Sequence, residues 1–312
     1  MSGKNKIIVV CGPTASGKTY ISIELSKILG GEIISADSVQ IYKELNIGTA
    51  KPDKNEMSGI KHYLIDIVSI SDTHGYSVAD YVNQAGECAE NIIQAGKIPV
   101  MCGGTGLYID HFMKNTKFAE YAGDESYRNK LHEISGEELY SMLKEIDPKS
   151  AELIHINNKK RVVRAIEIYH ATGKTKSELD ELSQLEGGRY EFIKFGLRYK
   201  ERELLYSRIN KRVDEMIEKG LCDEVYDLYK NGKKDDIIKT GAIGYVEFVD
   251  YFDGNCPLGE VTEKIKQNTR NYAKRQITWF KRDKNTVWID IDEDIINNPE
   301  KIIKNCVKHI KN

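Results

Sequence analysis

Eight residues near the start of the chain, Gly12-Pro-Thr-Ala-Ser-Gly-Lys-Thr19, restrict its fold more than any other feature. They match the pattern G-x-x-x-x-G-K-[ST]. They also stand between a β-branched apolar run, Ile7–Val10, and a segment of helical periodicity, Lys18–Leu29. That context is what the pattern requires: a strand delivers the loop and a helix begins inside it. The loop, from Gly12 and Pro13 through Thr14, Ala15, Ser16 and Gly17, then turns backbone N–H groups toward phosphate oxygens. The helix N-terminus adds positive potential, and Lys18 reaches the terminal phosphates. The Thr19 hydroxyl is a natural ligand for Mg²⁺. The motif points to a di- or triphosphate without specifying ATP; a Gly-rich turn that binds nothing is the weaker alternative.

Strand-like stretches at Ile7–Val10, Glu32–Ser35, Tyr63–Val68 and Ile98–Cys102 alternate with helical ones at Lys18–Leu29 and Val78–Gly96. The pattern predicts an α/β fold, a P-loop NTPase-like parallel sheet flanked by helices, with ligands at the carboxyl ends of the strands. From about 124 the strand pattern stops, and Ser126–Glu133, Glu137–Ile146 and Lys159–Tyr169 are charged and helical. A turn at Leu185–Tyr190, with Gly187 and Gly188, leads back to a strand at Phe192–Leu197. Helices at Glu201–Lys219, Leu221–Lys230 and Val261–Arg282 and a closing strand at Thr286–Ile291 complete the reading. Three parts are expected: an α/β core over 1–123, a helical insertion domain over 124–190, and the rest of the core with basic C-terminal helices over 191–312.

Composition removes several classes of function. No stretch approaches the ~20 apolar residues that span a bilayer. The N-terminal lysines are not followed by the apolar region of a secretory signal, so a cytoplasmic location without membrane partners is expected. The six cysteines are scattered without a C-x-x-C pair, which argues against a zinc site or a disulfide framework and for buried thiols. Net charge is only −2, so any affinity for nucleic acid must come from the distribution of charge.

A second Gly-rich loop, Gly103-Gly-Thr-Gly106, follows the strand at Ile98–Cys102 and is expected at the same sheet edge, with Thr105 aimed at bound phosphate. Asp37 follows the second strand, expected to neighbour the first, and so projects toward the phosphate loop. Its alternative role is to cap the next turn. A carboxylate facing a phosphate pocket is unfavourable unless it binds metal or handles a proton. Asp66, ending Tyr-Leu-Ile-Asp, is a second acidic candidate, for metal or for structure. Between Lys264 and Lys284 eight cations face a single acid, Asp283. Arg270 and Lys274 share one helical face; Arg275, Trp279 and Arg282 share a neighbouring one, with Trp279 expected in the core. Asn268, Asn271, Gln276 and Thr278 are interleaved and suit a sugar–phosphate surface. Lys159, Lys160, Arg161 and Arg164 open another helix, where cations oppose the macrodipole, so RNA contact explains them better than stability.

Five segments together make a specific resemblance: Asp37-Ser-Val-Gln-Ile-Tyr-Lys-Glu-Leu-Asn-Ile-Gly-Thr-Ala-Lys-Pro52, Gly103-Gly-Thr-Gly-Leu-Tyr108, Lys160-Arg-Val-Val-Arg164 with Ala165, Ile166 and Glu167, Ala242-Ile-Gly-Tyr245, and Thr269-Arg-Asn-Tyr-Ala-Lys-Arg-Gln-Ile-Thr-Trp-Phe280. In order and span they resemble the tRNA dimethylallyltransferase family, in its bacterial type because no Cys/His finger follows. The resemblance implies that the phosphate loop binds dimethylallyl diphosphate with Mg²⁺. A dimethylallyl group then passes to N6 of the adenosine on the 3′ side of the anticodon, in the anticodon stem-loop of tRNA. It makes Asp37 similar to the family's catalytic base, with Thr105 and Lys18 beside it, and makes Arg212 similar to an arginine that reaches the diphosphate. From the resemblance and the basic runs together, the expected tRNA contacts are Asp37, Ser38, Val39, Gln40, Thr105, Arg128, Lys160, Arg161, Val162, Val163, Arg164, Gly244, Tyr245, Arg270, Lys274 and Arg275. Val39 is not assigned a base contact from its side chain. A monomer is expected. The alternatives are an adenylate prenyltransferase acting on free AMP, which has little use for the insertion, and a P-loop small-molecule kinase, which has no reason to carry the basic C-terminal helix.

Overall fold

The computed structural model describes residues 4–72, 75–116, 118, 124–185 and 188–311. Gly187 of the expected exit turn and the expected boundary at 123 lie outside them. Along the chain β1 (Lys6–Cys11) enters the phosphate loop and α1 (Lys18–Leu29) leaves it; β2 (Gly31–Ala36), β3 (His62–Tyr63), α2 (Val78–Gln94), β4 (Ile98–Gly103) and α3 (Gly106–Met113) follow. Then come α4 (Glu125–Glu133), α5 (Gly136–Ile146), α6 (Pro148–Leu153), α7 (Lys159–Thr172) and α8 (Lys176–Leu185). The last part holds β5 (Glu191–Tyr199), α9 (Arg202–Glu218), α10 (Leu221–Lys230), α11 (Lys234–Thr240), α12 (Val246–Phe252), α13 (Leu258–Phe280), β6 (Val287–Ile291), α14 (Glu293–Asn297) and α15 (Glu300–Lys311). Contacts divide the chain into a core unit, Met1–Asp110 with Tyr190–Asn312, and an insertion unit, His111–Arg189.

The core unit holds a six-stranded sheet in the order β3-β2-β4-β1-β5-β6, with every pairing parallel. Ile7 to Cys11 of β1 are all fully buried, because a central parallel strand is covered on both faces and so reads as one apolar run. The second strand was expected beside the first; instead β4 lies between them. The expected strand over Tyr63–Val68 shrinks to two residues. Leu64 and Asp66 take left-handed backbone conformations, φ 61° and 57°, which no strand accommodates, so pairing ends at Tyr63.

Register fixes the site. Cys11 pairs with Gly103, and Ala36 pairs with the same Gly103. The phosphate loop after β1, the Gly-rich loop after β4 and the Asp37 segment after β2 therefore leave the sheet side by side. Beside this edge, α10, α11 and α12 enclose Leu221, Val225, Ile237, Tyr245 and Phe248 in an apolar cluster that also takes Leu45 from the Asp37–Pro52 segment. The insertion unit has its own core of Leu131, Leu139, Leu143, Val162, Val163 and Ile166. Among the described residues no helix is long and apolar enough to cross a membrane.

Candidate active site

The phosphate loop is built from backbone geometry that few residues tolerate. Gly12 has φ 152° and a Cβ there would stand 2.9 Å from the Leu197 carbonyl oxygen. Gly17 begins α1 in a left-handed conformation, φ 82°, without a side-chain cap. The first N–H groups of the helix are thus left to a ligand, as anion sites at helix N-termini require. Lys18 Nζ donates to the Pro13 carbonyl at 2.7 Å, folding the ammonium over the loop that its own helix closes. Burial lowers the Lys18 pKa to about 8; the nearby Arg212 cation adds to this, and Asp37 opposes it. Arg212 on α9 is lowered for the same first reason, burial, and is likewise supported by Asp37. Two half-buried cations and one carboxylate thus feel one another's charge at the carboxyl edge of the sheet.

Of the roles open to Asp37, the structure realises the turn cap and leaves one oxygen unused by it. Its Oδ1 accepts from the Val39 N–H at 2.9 Å and from the Gln40 N–H at 3.3 Å, which holds the turn. The second oxygen receives no hydrogen bond from the described residues. Thr105, expected to aim a hydroxyl at phosphate, binds the neighbouring segment instead: Oγ1 accepts from the Ser38 N–H at 2.9 Å and donates to Ser38 Oγ at 3.2 Å. Tyr272 on α13 stands at the same junction. Burial, together with the Asp37 carboxylate, pushes its phenol up to about 12, while hydrogen bonding with Thr105 and Gln276 works the other way.

Gln276 was read as facing a sugar–phosphate surface, and the structure corrects this. It is 5% exposed; its Oε1 accepts from the Thr14 N–H at 2.8 Å and its Nε2 donates to the Gly104 carbonyl at 2.9 Å. Asn268 is likewise committed, donating to Glu247 at 2.7 Å. Trp279 is partly buried, its indole N–H donating to Asp110 at 2.8 Å, and a Cβ on Gly106 would come within 2.3 Å of its ring. Gly104 and Gly106 are therefore needed for α13 to approach, whereas Gly103 is needed for the close pass of Ala36 on β2. Beyond α13, the Asp283 carboxylate meets the buried Lys194 ammonium of β5 at 3.0 Å. Burial would raise the Asp283 carboxyl, but Asn285 and Lys194 hold it below its usual range.

Three further expectations are corrected. Tyr245 is fully buried, so it offers RNA no surface; its hydroxyl accepts from the Gly48 N–H at 3.0 Å and donates to Glu224 at 2.5 Å. Gly244, at φ 94°, donates its N–H to Glu247 at 2.8 Å and sets this turn. Asp66 is no metal residue beside the phosphate loop. It follows the edge strand β3 and pairs with Lys51, which also donates to the Tyr42 carbonyl and Asn46 Oδ1.

On α13, Arg270 Nη1 donates to Asn210 Oδ1 at 2.7 Å, Lys274 lies over the Tyr206 ring and Arg275 over Tyr272. Lys264 and Lys266 are paired with Asp250, Asp214 and Glu263, so the usable positive charge is smaller than the sequence count. In the insertion unit Arg128, His132, Lys160, Val163, Arg164 and Glu167 line a shallow groove. Arg128 and Arg164 both meet the buried Glu167 carboxylate, at 2.5 and 3.6 Å. Arg161 is exposed. Val162 and Val163 are 1% and 3% exposed and belong to the apolar core, so their side chains are packing residues and not RNA contacts. Lys159 also has a structural reason: its Nζ donates to the His132 and Ile134 carbonyls that end α4.

No group of three or more His, Cys, Asp or Glu side chains suited to a metal occurs among the described residues. The Thr19 hydroxyl makes no hydrogen bond with a described residue and sits on the first turn of α1. A single protein oxygen completed by substrate phosphates and water fits Mg²⁺, which retains water and uses few protein ligands. Of the cysteines, Cys11 and Cys306 are buried and the other four partly so; all six are free. Burial pushes Cys11 and Cys306 up to about 12, which leaves them inert.

The model of the IPP transferase family matches residues 40–283. Over 305 residues the chain is 48% identical to the tRNA dimethylallyltransferase of Acetivibrio thermocellus, covering 96% of each protein. Its identity to that of Anoxybacillus flavithermus is 47% over 293 residues, 93% of this chain and 92% of the relative. Among solved structures it is similar to the full-length tRNA isopentenylpyrophosphate transferase of Bacillus halodurans, with a TM-score of 0.69 at 39% identity over 99% of this chain and 100% of that one. A eukaryotic dimethylallyltransferase acting on tRNA gives a TM-score of 0.78 at 29% identity, over 92% of this chain and 74% of the other. A parallel sheet with a phosphate loop, an acidic turn and a Gly-rich loop on one edge, matched over nearly its whole length by these relatives, makes the chain a member of the IPP transferase family.

Proposed function

We propose that this protein transfers a dimethylallyl group from dimethylallyl diphosphate to N6 of the adenosine 3′ to the anticodon in tRNA. The observation that carries the reading is the charge coupling of Asp37 with Lys18 and Arg212 beside the phosphate loop. A kinase would place a metal-binding carboxylate there; a proton acceptor facing two phosphate-binding cations suits a nucleophile that must lose a proton as diphosphate leaves. The adenine N6 lone pair attacks the primary allylic carbon, the C–N bond forms, and the C–O bond to diphosphate breaks. Negative charge gathers on the leaving oxygens, where the loop amides, Lys18 and Arg212 would receive it. The amine becomes strongly acidic as the bond forms, and the second oxygen of Asp37 accepts its proton. Thr105 holds Ser38 and thereby the base. Bound through Thr19, Mg²⁺ would supply further neutralisation of the diphosphate.

RNA contacts are assigned on each unit separately. In the core they are Arg270, Lys274 and Arg275, and in the insertion Arg128, Lys160, Arg161 and Arg164, all long cations suited to phosphate. An anticodon stem-loop lets the adenine leave its stack at low cost. We place the activity in the cytoplasm and in a monomer. Incubation with labelled dimethylallyl diphosphate and either unmodified tRNA or AMP tests the reading, with ATP in a parallel kinase assay. Label in tRNA alone is the expected result; label in AMP, or transfer of the ATP γ-phosphate, would sink it.

A further inference from the structure

Gln276 touches none of the groups that react, yet it joins the two loops that hold them. Its Oε1 takes the Thr14 N–H of the phosphate loop and its Nε2 binds the Gly104 carbonyl of the second loop. A carboxamide is the neutral head group that presents an acceptor and a donor side by side. The fit is tight: a Cβ on Gly104 would stand 2.1 Å from Gln276 Nε2. The next residue, Thr105, receives the Ser38 N–H, and Ser38 follows Asp37. One polar chain therefore runs from the phosphate loop through Gln276 and Thr105 to the base.

We propose that Gln276 is a positioning residue for prenyl transfer, holding the loop that grips the diphosphate in register with the segment that carries the base. The proposal rests on the transfer reading above. Misplacement of reacting groups by about 1 Å can cost on the order of 10²-fold in rate. The diphosphate still has Lys18 and Arg212, and RNA still has the cations of α13, so the loss falls on the reaction and not on binding.

Two variants separate this role from simple packing. Gln276→Met keeps the length and removes the hydrogen bonds to both loops, along with that to Tyr272. Gln276→Glu keeps the shape and introduces a switch. The protonated acid accepts from Thr14 and donates to Gly104, like the amide, whereas the carboxylate sets two acceptors against each other at Gly104. Burial favours the neutral acid, so protonation lies within reach of a rate assay. The ionisable groups around this junction are Tyr272 and Arg275 on the same helix and Asp37 after β2, with Lys18 on α1 and Arg212 on α9 coupled to Asp37 in turn. Their titration is shared with the wild-type protein and cancels in the ratio of rates. Single-turnover transfer to tRNA is measured from about pH 8 to about pH 6, with donor dissociation constants and melting temperatures alongside. Gln276→Met should react roughly 10- to 100-fold slower throughout, with donor affinity within a few-fold of wild type. Gln276→Glu should match it at about pH 8 and recover several-fold toward wild type by about pH 6. A Met variant at nearly the wild-type rate, or a Glu ratio that stays flat with pH, overturns the proposal. Failure of the wild-type protein to label tRNA strikes the functional reading instead.

Discussion

Replacing Asp37 with Asn separates the proposed proton transfer from folding, because the turn uses one carboxylate oxygen and leaves the other for the proton. The turn depends on Oδ1, which accepts from Val39 and Gln40. An Asn side-chain oxygen accepts equally well, and Asn and Asp cap with nearly equal strength, so stability should change by no more than about 0.5 kcal/mol. What is lost is the second oxygen as a proton acceptor. General-base assistance is worth on the order of 10²–10⁴-fold, so a loss of about 10²-fold corresponds to roughly 2.7 kcal/mol in the barrier. The rate effect should therefore exceed the stability effect several times over. Asp37→Ala should lose the rate and also about 1 kcal/mol from the missing cap. The assay is single-turnover transfer to tRNA at saturating donor, with both dissociation constants and a denaturant melt for each variant. An Asn variant that reacts at close to the wild-type rate would refute the argument, leaving Asp37 as a turn cap and the proton with another acceptor.

Lys18→Met should abolish transfer while tRNA affinity survives; loss of both together would show the lysine misplaced. At pH 7 both folded and unfolded chains hold the Lys18 proton, so the folded state bears the cost of a buried charge, which is relieved as pH rises through about 8 toward the ordinary value of 10.5. The same variant should therefore melt above wild type at neutral pH, with the gain shrinking past pH 8, and a gain that grows with pH would contradict the sign. Changing Arg161, Arg164, Arg270 and Lys274 together to Ala should weaken tRNA binding and reduce the slope of log K against log salt by roughly 0.7–0.9 for each lost phosphate contact. An unchanged slope would make them ordinary surface charge. Tyr245→Phe strands the Gly48 N–H and should cost about 1–3 kcal/mol of stability with no change in that slope; a reduced slope would return Tyr245 to the RNA surface.

What the sequence revealed and what it hid divide along the distance between partners. The phosphate loop was legible because its strand, turn and helix are contiguous, and each residue's part follows from its neighbours. The Asp37 turn was legible as two alternatives, and the structure realises the capping one through local hydrogen bonds. Charge was the weakest guide. Lys264 and Lys266 counted toward a basic run, but their acids, Asp250 and Asp214, are brought to them by folding. Lys159 looked unexplained because the carbonyls it caps belong to another helix.

The residues misread as RNA contacts share a physical cause. Tyr245, Gln276 and Val162 sit in segments whose pattern carries the family resemblance, and resemblance reports that a position is constrained without saying by what. Gln276 bonds Thr14, 262 positions away, and Tyr245 bonds Gly48, 197 positions away. Neither pairing has any periodicity or spacing from which it could be read. Both instead fix backbone that leads to the chemistry, the phosphate loop in one case and the Asp37–Pro52 segment in the other. Buried polar groups must find partners, and a loop that presents its amides to a ligand has few hydrogen bonds left to hold itself. The holding falls to side chains from elsewhere in the fold, so in a site built at strand ends the supporting residues are the ones a sequence conceals.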